Sequence, residues 1–178
     1  MTKRDKMMGK VHIYYGYGKG KTTAAAGLAV RFSATGGKTV FCQFLKNGTS
    51  GEIEVLSGIK NIECLFHVEN YGFTWEMTSQ QREKVGKVYL ELLKKAVEIC
   101  GGNGMLVLDE LLDVVMAGLI DEEIVYNIIN DIKEDTEIVI TGHGVCEKLF
   151  SVADYITCMK KEKHPFDCGL QARKGIEY

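Results

Sequence analysis

Hydrophobic positions along the chain recur with two periods that take turns. Val11 to Tyr15 is an apolar run of strand length, and Ala24, Ala25, Leu28, Ala29 and Phe32 then follow at helical spacing. Gly36-Gly37 stops that helix, and Thr39 to Leu45 reads as a largely buried second strand. A short helix near Glu52 to Ser57 and a strand near Ile62 to His67 come next. Thr78 and Gln81 form a capping box, opening a helix with Val85, Val88, Tyr89, Leu92, Leu93, Ala96, Val97 and Cys100 on its apolar face. Gly101-Gly102 ends it, and Met105 to Leu108 reads as a central buried strand. From Asp121 to Glu134 a helix sets Ile124, Val125, Ile128, Ile129 and Ile132 on one face, directed at the core. Thr136 to Thr141 gives a fifth strand, Val145 to Ala153 a helix, and Tyr155 to Lys160 a sixth strand. The tail from Lys161 holds the only proline, Pro165, and is too polar and glycine-broken for a core element. This alternation predicts an α/β fold, a mostly parallel central sheet of about six strands with helices on both faces. No repeat or low-complexity linker interrupts it, so residues 1–178 are expected to form a single domain.

Charge and composition narrow the function. With 22 Lys+Arg against 24 Asp+Glu the net charge is −2, and without a long basic run nucleic acid is a poor partner. Lys3, Arg4, Lys6 and Lys10 come with no apolar stretch, which fits neither a signal peptide nor a membrane span, so a cytoplasmic location is expected. Six cysteines, at 42, 64, 100, 146, 158 and 168, form no C-x-x-C pair and read as small buried hydrophobes, not metal ligands or disulfides.

Chemistry concentrates at the ends of the strands. Gly16-Tyr17-Gly18-Lys19-Gly20-Lys21-Thr22-Thr23 is a glycine-rich turn between a strand and a helix, and it reads as a phosphate-binding loop. Its glycines allow the N–H groups to turn inward, and the helix adds the positive end of its dipole. Lys21 supplies a point charge to a polyphosphate, and the Thr22 hydroxyl suits Mg²⁺. Only three residues separate Gly16 from Gly20, so the loop is one residue shorter than usual. Asp109-Glu110, at the end of the central strand, match the acidic partner of such a loop, or else start a helix with an acidic cap. Gln43 and Lys46 follow the second strand and are either lining residues of the ligand crevice or part of a solvated turn. His143, between two glycines, reads by itself as a polar surface residue. Phe73 and Trp75 lie in an aromatic stretch of neither period, which either caps the core or offers a flat apolar surface to a flat ligand.

These motifs in this order resemble the ATP:corrinoid adenosyltransferases of the CobA/BtuR/CobO type. The likeness runs from Gly9 to Tyr178 through the short loop, Gln43-Phe44-Leu45-Lys46, Gly72-Phe73-Thr74-Trp75-Glu76, Val107-Leu108-Asp109-Glu110-Leu111, Thr141-Gly142-His143-Gly144 and Lys163-His164-Pro165-Phe166 with Ala172-Arg173-Lys174-Gly175-Ile176-Glu177-Tyr178. The resemblance implies a RecA-like P-loop fold and transfer of the 5′-deoxyadenosyl group of ATP to cobalt(I) of a reduced corrinoid, cobalamin or a precursor such as cobinamide or cobyrinic acid diamide. It implies release of tripolyphosphate, a nucleotide bound in the reverse sense to most phosphate-loop proteins, a flavodoxin-type reductant and a homodimer. It carries over Gly16, Tyr17, Gly18, Lys19, Gly20, Lys21, Thr22, Thr23 and Arg31 to ATP, Thr22 and Glu110 to Mg²⁺ with Asp109 as the alternative ligand, and Phe73 and Trp75 to the lower face of the corrin. The chain departs from the pattern at His143, where many relatives have arginine, and in having few residues before the loop to form a covering arm. A phosphate-loop kinase would share the loop and Asp109-Glu110 but yield ADP, and a nucleotide switch would need segments that order around the terminal phosphate.

Overall fold

A computed structural model describes residues 8–69 and 76–177. Its strands are β1 (Val11–Tyr15), β2 (Thr39–Gln43), β3 (Ile62–Phe66), β4 (Met105–Asp109), β5 (Glu137–Gly142) and β6 (Tyr155–Cys158). They form one six-stranded sheet in the order β3-β2-β4-β5-β1-β6. All pairs are parallel, because every strand is reached by a crossover that returns the chain to the same edge. The helices are α1 (Lys21–Ser33), α2 (Gly51–Ser57), α3 (Ser79–Cys100), α4 (Leu111–Met116), α5 (Glu122–Ile132) and α6 (Glu147–Ser151).

Alternation along the strands divides the core in two. Val40, Cys42, Leu106, Leu108, Ile138 and Ile140 face the side covered by α3, α4, α5 and α6. Phe41, Met105, Val107 and Val139 face α1 and α2, where Ala25, Ala26 and Ala29 let α1 lie close against the sheet. Central β2 and β4 are buried at every position, which is why they read as unbroken apolar runs. The Thr78–Gln81 capping box is formed in both directions. Gly86 lets α3 approach the backbone of Leu119, since a Cβ there would stand 2.2 Å from the Leu119 carbonyl oxygen.

Three features differ from the sequence pattern. Leu111–Met116 is a helix that starts directly after Asp109-Glu110; its run is apolar all round because Leu111, Leu112, Val114 and Val115 are all buried, so no amphipathic period marks it. On α5 only Val125 and Ile129 are buried, whereas Ile124 is 42% exposed. Edge strand β6 is exposed along its length, and so are Cys158 and Cys168, unlike buried Cys42, Cys100 and Cys146.

Candidate active site

Parallel strands bring their carboxyl ends to one edge, and register decides which side chains meet there. Gln43 pairs with Asp109 across β2 and β4, while Tyr14 and Tyr15 pair with Thr141 and Gly142 across β1 and β5. The loop 16–20 leaves β1 at this edge and turns into α1 through Gly16 and Gly20, both left-handed, with φ of 107° and 110°. The Gly16 N–H donates to the His143 carbonyl (3.1 Å) and the Gly18 N–H to the Met159 carbonyl (2.6 Å). The short loop thus packs against β5 and the end of β6, whose following residues take up the amides of Gly16 and Gly18. The first-turn N–H groups of α1 have no acceptor inside the helix and no side chain caps them, the arrangement that favours an anion at a helix N-terminus.

Lys21 lies beneath the loop, only 9% exposed, and donates to the Gly16 (2.7 Å) and Gly18 (3.2 Å) carbonyls. Burial lowers its pKa, against the raising effect of Glu110 and Asp113. Tyr17 is 70% exposed with its ring 5.4 Å from that of His143, Thr23 is exposed on α1, and Lys19 reaches Glu177 at 3.9 Å. Arg31 stands in the last turn of α1, exposed, about 15 Å along the helix from Lys21 at about 1.5 Å per residue. It is not in this group of side chains and acts instead on Tyr14.

Asp109 organises the site. Fully buried, it accepts from Thr22 Oγ1 and Thr141 Oγ1 on Oδ1 (2.8 Å each), and from Gln43 Nε2 (3.1 Å) and Lys46 Nζ (3.3 Å) on Oδ2. Its acceptor capacity is thereby filled. Glu110 is held in the left-handed region (φ 66°), with its N–H donating to Thr141 Oγ1 (2.9 Å). Lys46 Nζ lies 3.3 Å from Glu110 Oε1 and 3.4 Å from Thr22 Oγ1, and the pull of Asp109 and Glu110 on it outweighs burial to raise its pKa.

A second group adjoins. The Asp113 carboxylate accepts from the His143 backbone N–H and pairs with His143 Nδ1, both at 3.1 Å. That bond raises the His143 pKa; burial works to raise Asp113, but the His143 bonds hold it below the ordinary value. Burial pushes Glu110 up to about 7, with Lys46 opposing. Glu110, Asp113 and His143 offer ligand atoms within 4.8 Å of one another. Asp113 is already committed to His143, and imidazole suits transition metals, so a hard Mg²⁺ fits better between the oxygens of Thr22 and Glu110 that flank the Lys46 ammonium. Asp113 and Thr141 were not singled out as site residues; an acid inside the apolar run Leu111-Leu112-Asp113-Val114-Val115 is the signal that points to the first. Phe73 and Trp75 lie outside the described residues.

A cavity of about 300 Å³ opens beside the loop, bounded by Tyr17, Gly18, Lys19, Lys21 and His143 on one side and by the C-terminal segment on the other. Fold and site together define an α/β protein of phosphate-loop architecture. The chain belongs to the corrinoid adenosyltransferase family: the family model for ATP:corrinoid adenosyltransferase BtuR/CobO/CobP matches residues 7–178. It is 34% identical to the corrinoid adenosyltransferase of a Sinorhizobium species over 184 residues, covering 99% of this chain and 83% of that one. Identity to the corrinoid adenosyltransferase of Escherichia coli K12 is 34% over 176 residues (96% and 86% covered), and to CobA of Salmonella typhimurium LT2 32% over 174 residues (96% and 86%). Among solved structures, the cytoplasmic domain of EssC matches the fold with a TM-score of 0.51 at 14% identity, over 93% of this chain and 34% of that one. The protein is accordingly a transferase that passes an adenosyl group to a corrinoid, with ATP and corrinoid as substrates. No helix among its described residues is long and apolar enough to cross a membrane.

Proposed function

We propose that the chain transfers the 5′-deoxyadenosyl group of ATP to the cobalt(I) of a reduced corrinoid and releases tripolyphosphate. The observation that carries this reading is the convergence of Lys21, Lys46 and the first turn of α1 on one strand-end site that also holds Asp109 and Glu110. In the reaction the cobalt(I) electron pair forms the Co–C5′ bond, and the C5′–O bond breaks with its pair going to the α-phosphate oxygen. The whole triphosphate therefore leaves, and the protein's task is to neutralise charge along its length before the bond breaks. Lys21 binds the phosphates from beneath the loop, and the amides of the first turn of α1 donate to the same oxygens. Asp109 orients the Thr22 hydroxyl through the 2.8 Å bond, which leaves that oxygen's lone pairs to a metal. Mg²⁺ held by Thr22 and Glu110 would supply further neutralisation of phosphate oxygens. Lys46, whose ammonium already sits among the three oxygen groups, is long enough to turn to a phosphate oxygen when a metal takes its place.

The family pattern supports Phe73 and Trp75 as the rings that lie under the corrin and displace its lower ligand, so that a flavodoxin-type donor can reduce cobalt(II). We also read the chain as one domain that pairs as a homodimer. The test incubates the protein with MgATP and cob(I)alamin under strong reductant and follows phosphorus by NMR. One tripolyphosphate per adenosylcobalamin is expected; ADP, or orthophosphate with pyrophosphate as first products, overturns the reading. Truncating Phe73 and Trp75 to Ala should slow the reaction that starts from cob(II)alamin with a weak donor far more than the one that starts from cob(I)alamin, and equal losses would return the pair to core packing.

A further inference from the structure

The C-terminal segment has no role in the chemistry above, yet it lies across the phosphate loop. From Lys160 to Glu177 every residue is exposed except His164 and Glu177, and these two line the cavity together with Lys19 and Lys21. A segment with no buried apolar residue gains nothing from core packing, so its position needs another cause. Charge supplies one. The cavity wall carries Lys19, Lys21 and His143 against the single carboxylate of Glu177. That carboxylate is already engaged by the Arg173 guanidinium at 3.0 and 3.2 Å and by the Arg173 N–H at 2.9 Å. The cavity therefore favours an anion.

His164 adds a donor of fixed direction. Its Nδ1 accepts the Phe166 N–H (3.2 Å) and so caps the 3₁₀ turn Pro165–Cys168. A ring nitrogen that accepts carries no proton, so the imidazole proton resides on Nε2. We propose that His164 is a phosphate-binding residue: its Nε2–H donates to a non-bridging oxygen of the triphosphate and holds the leaving chain against Lys19 and Lys21. This rests on the reading of the loop as the triphosphate site.

The test is calorimetric titration of the full chain with inorganic tripolyphosphate. His164→Asn keeps an acceptor where Nδ1 stands and has nothing at the place of Nε2, whereas His164→Gln sets an amide N–H near Nε2 and loses the cap. Loss of one hydrogen bond to a charged group predicts that the Asn variant raises Kd about tenfold or more, with the Gln variant within about threefold of wild type. If the residue only caps the turn, the order reverses, and that result overturns the proposal. So does wild-type affinity in the Asn variant, or an equal loss in both. Lys21→Ala separates the two levels. Tight binding that Lys21→Ala abolishes and His164→Asn leaves intact removes His164 alone; no binding by wild type, or binding that Lys21→Ala leaves unchanged, removes the triphosphate reading itself.

Discussion

Glu110 is a carboxylate held where the protein alone does not favour its charge, and replacing it should separate stability from function. Its side chain is 14% exposed, and burial pushes its pKa from the ordinary 4.5 up to about 7. The folded value lies above the unfolded one, so between about 4.5 and about 7 the folded state keeps a proton that the unfolded state has released, and stability falls as pH rises through that window. A gap of about 2.5, at about 1.36 kcal/mol per pH unit, costs up to about 3 kcal/mol once pH passes 7. Glutamine has the shape of the protonated acid without its titration. In metal-free buffer at pH 8, Glu110→Gln should therefore melt higher than wild type, by about 5 to 10 °C for a chain of this size. At pH 5 the advantage should shrink to under about 1 kcal/mol, because little of the window has been crossed. The same variant should lose most of the stabilisation that MgATP gives wild type, since the metal has lost a ligand. Calorimetric melting at both pH values, with and without MgATP, reads all three effects. A Gln variant less stable than wild type at pH 8, or a melting difference that does not change with pH, would refute the argument. Asp109→Asn is the contrast: it breaks up a buried acceptor with four partners, and should destabilise at both pH values by about 2 to 4 kcal/mol.

Other expectations follow from single observations. Lys21→Ala should lower turnover at saturating MgATP by about 100-fold or more, measured as adenosylcobalamin formed per second, because the loop loses its one buried cation. Gly16→Ala should destabilise the fold by about 1 to 3 kcal/mol in chemical denaturation, since its φ of 107° disfavours a side chain and the new Cβ would stand 2.6 Å from the Met159 carbonyl oxygen. The His143 ring should titrate above its ordinary 6.5 by NMR, and fall toward it in Asp113→Asn, because the Asp113 hydrogen bond is the first cause of the rise. The contribution of that pair on the histidine side is complete below 6.5 and fades as pH rises through the folded value.

Local pattern alone determined the order of strands and helices, the capped start of α3, the buried β4 and the loop that ends in Lys21 and Thr22, because strand and helix periods, glycines and caps are properties of short stretches. Asp109 and Glu110 were legible as a pair for the same reason. How fully Asp109 is engaged by the protein was not, since Thr22, Gln43, Lys46 and Thr141 reach it from four different segments. Helix α4 escaped notice because burial on all sides erases the amphipathic period by which helices are recognised. The turning of the Gly16 and Gly18 amides toward His143 and Met159, and the placing of half-buried His164 and Glu177 over the loop, came only with the tertiary structure. Contacts between residues more than a hundred positions apart leave no trace in local spacing, and parallel crossovers decide which of them share the strand-end edge.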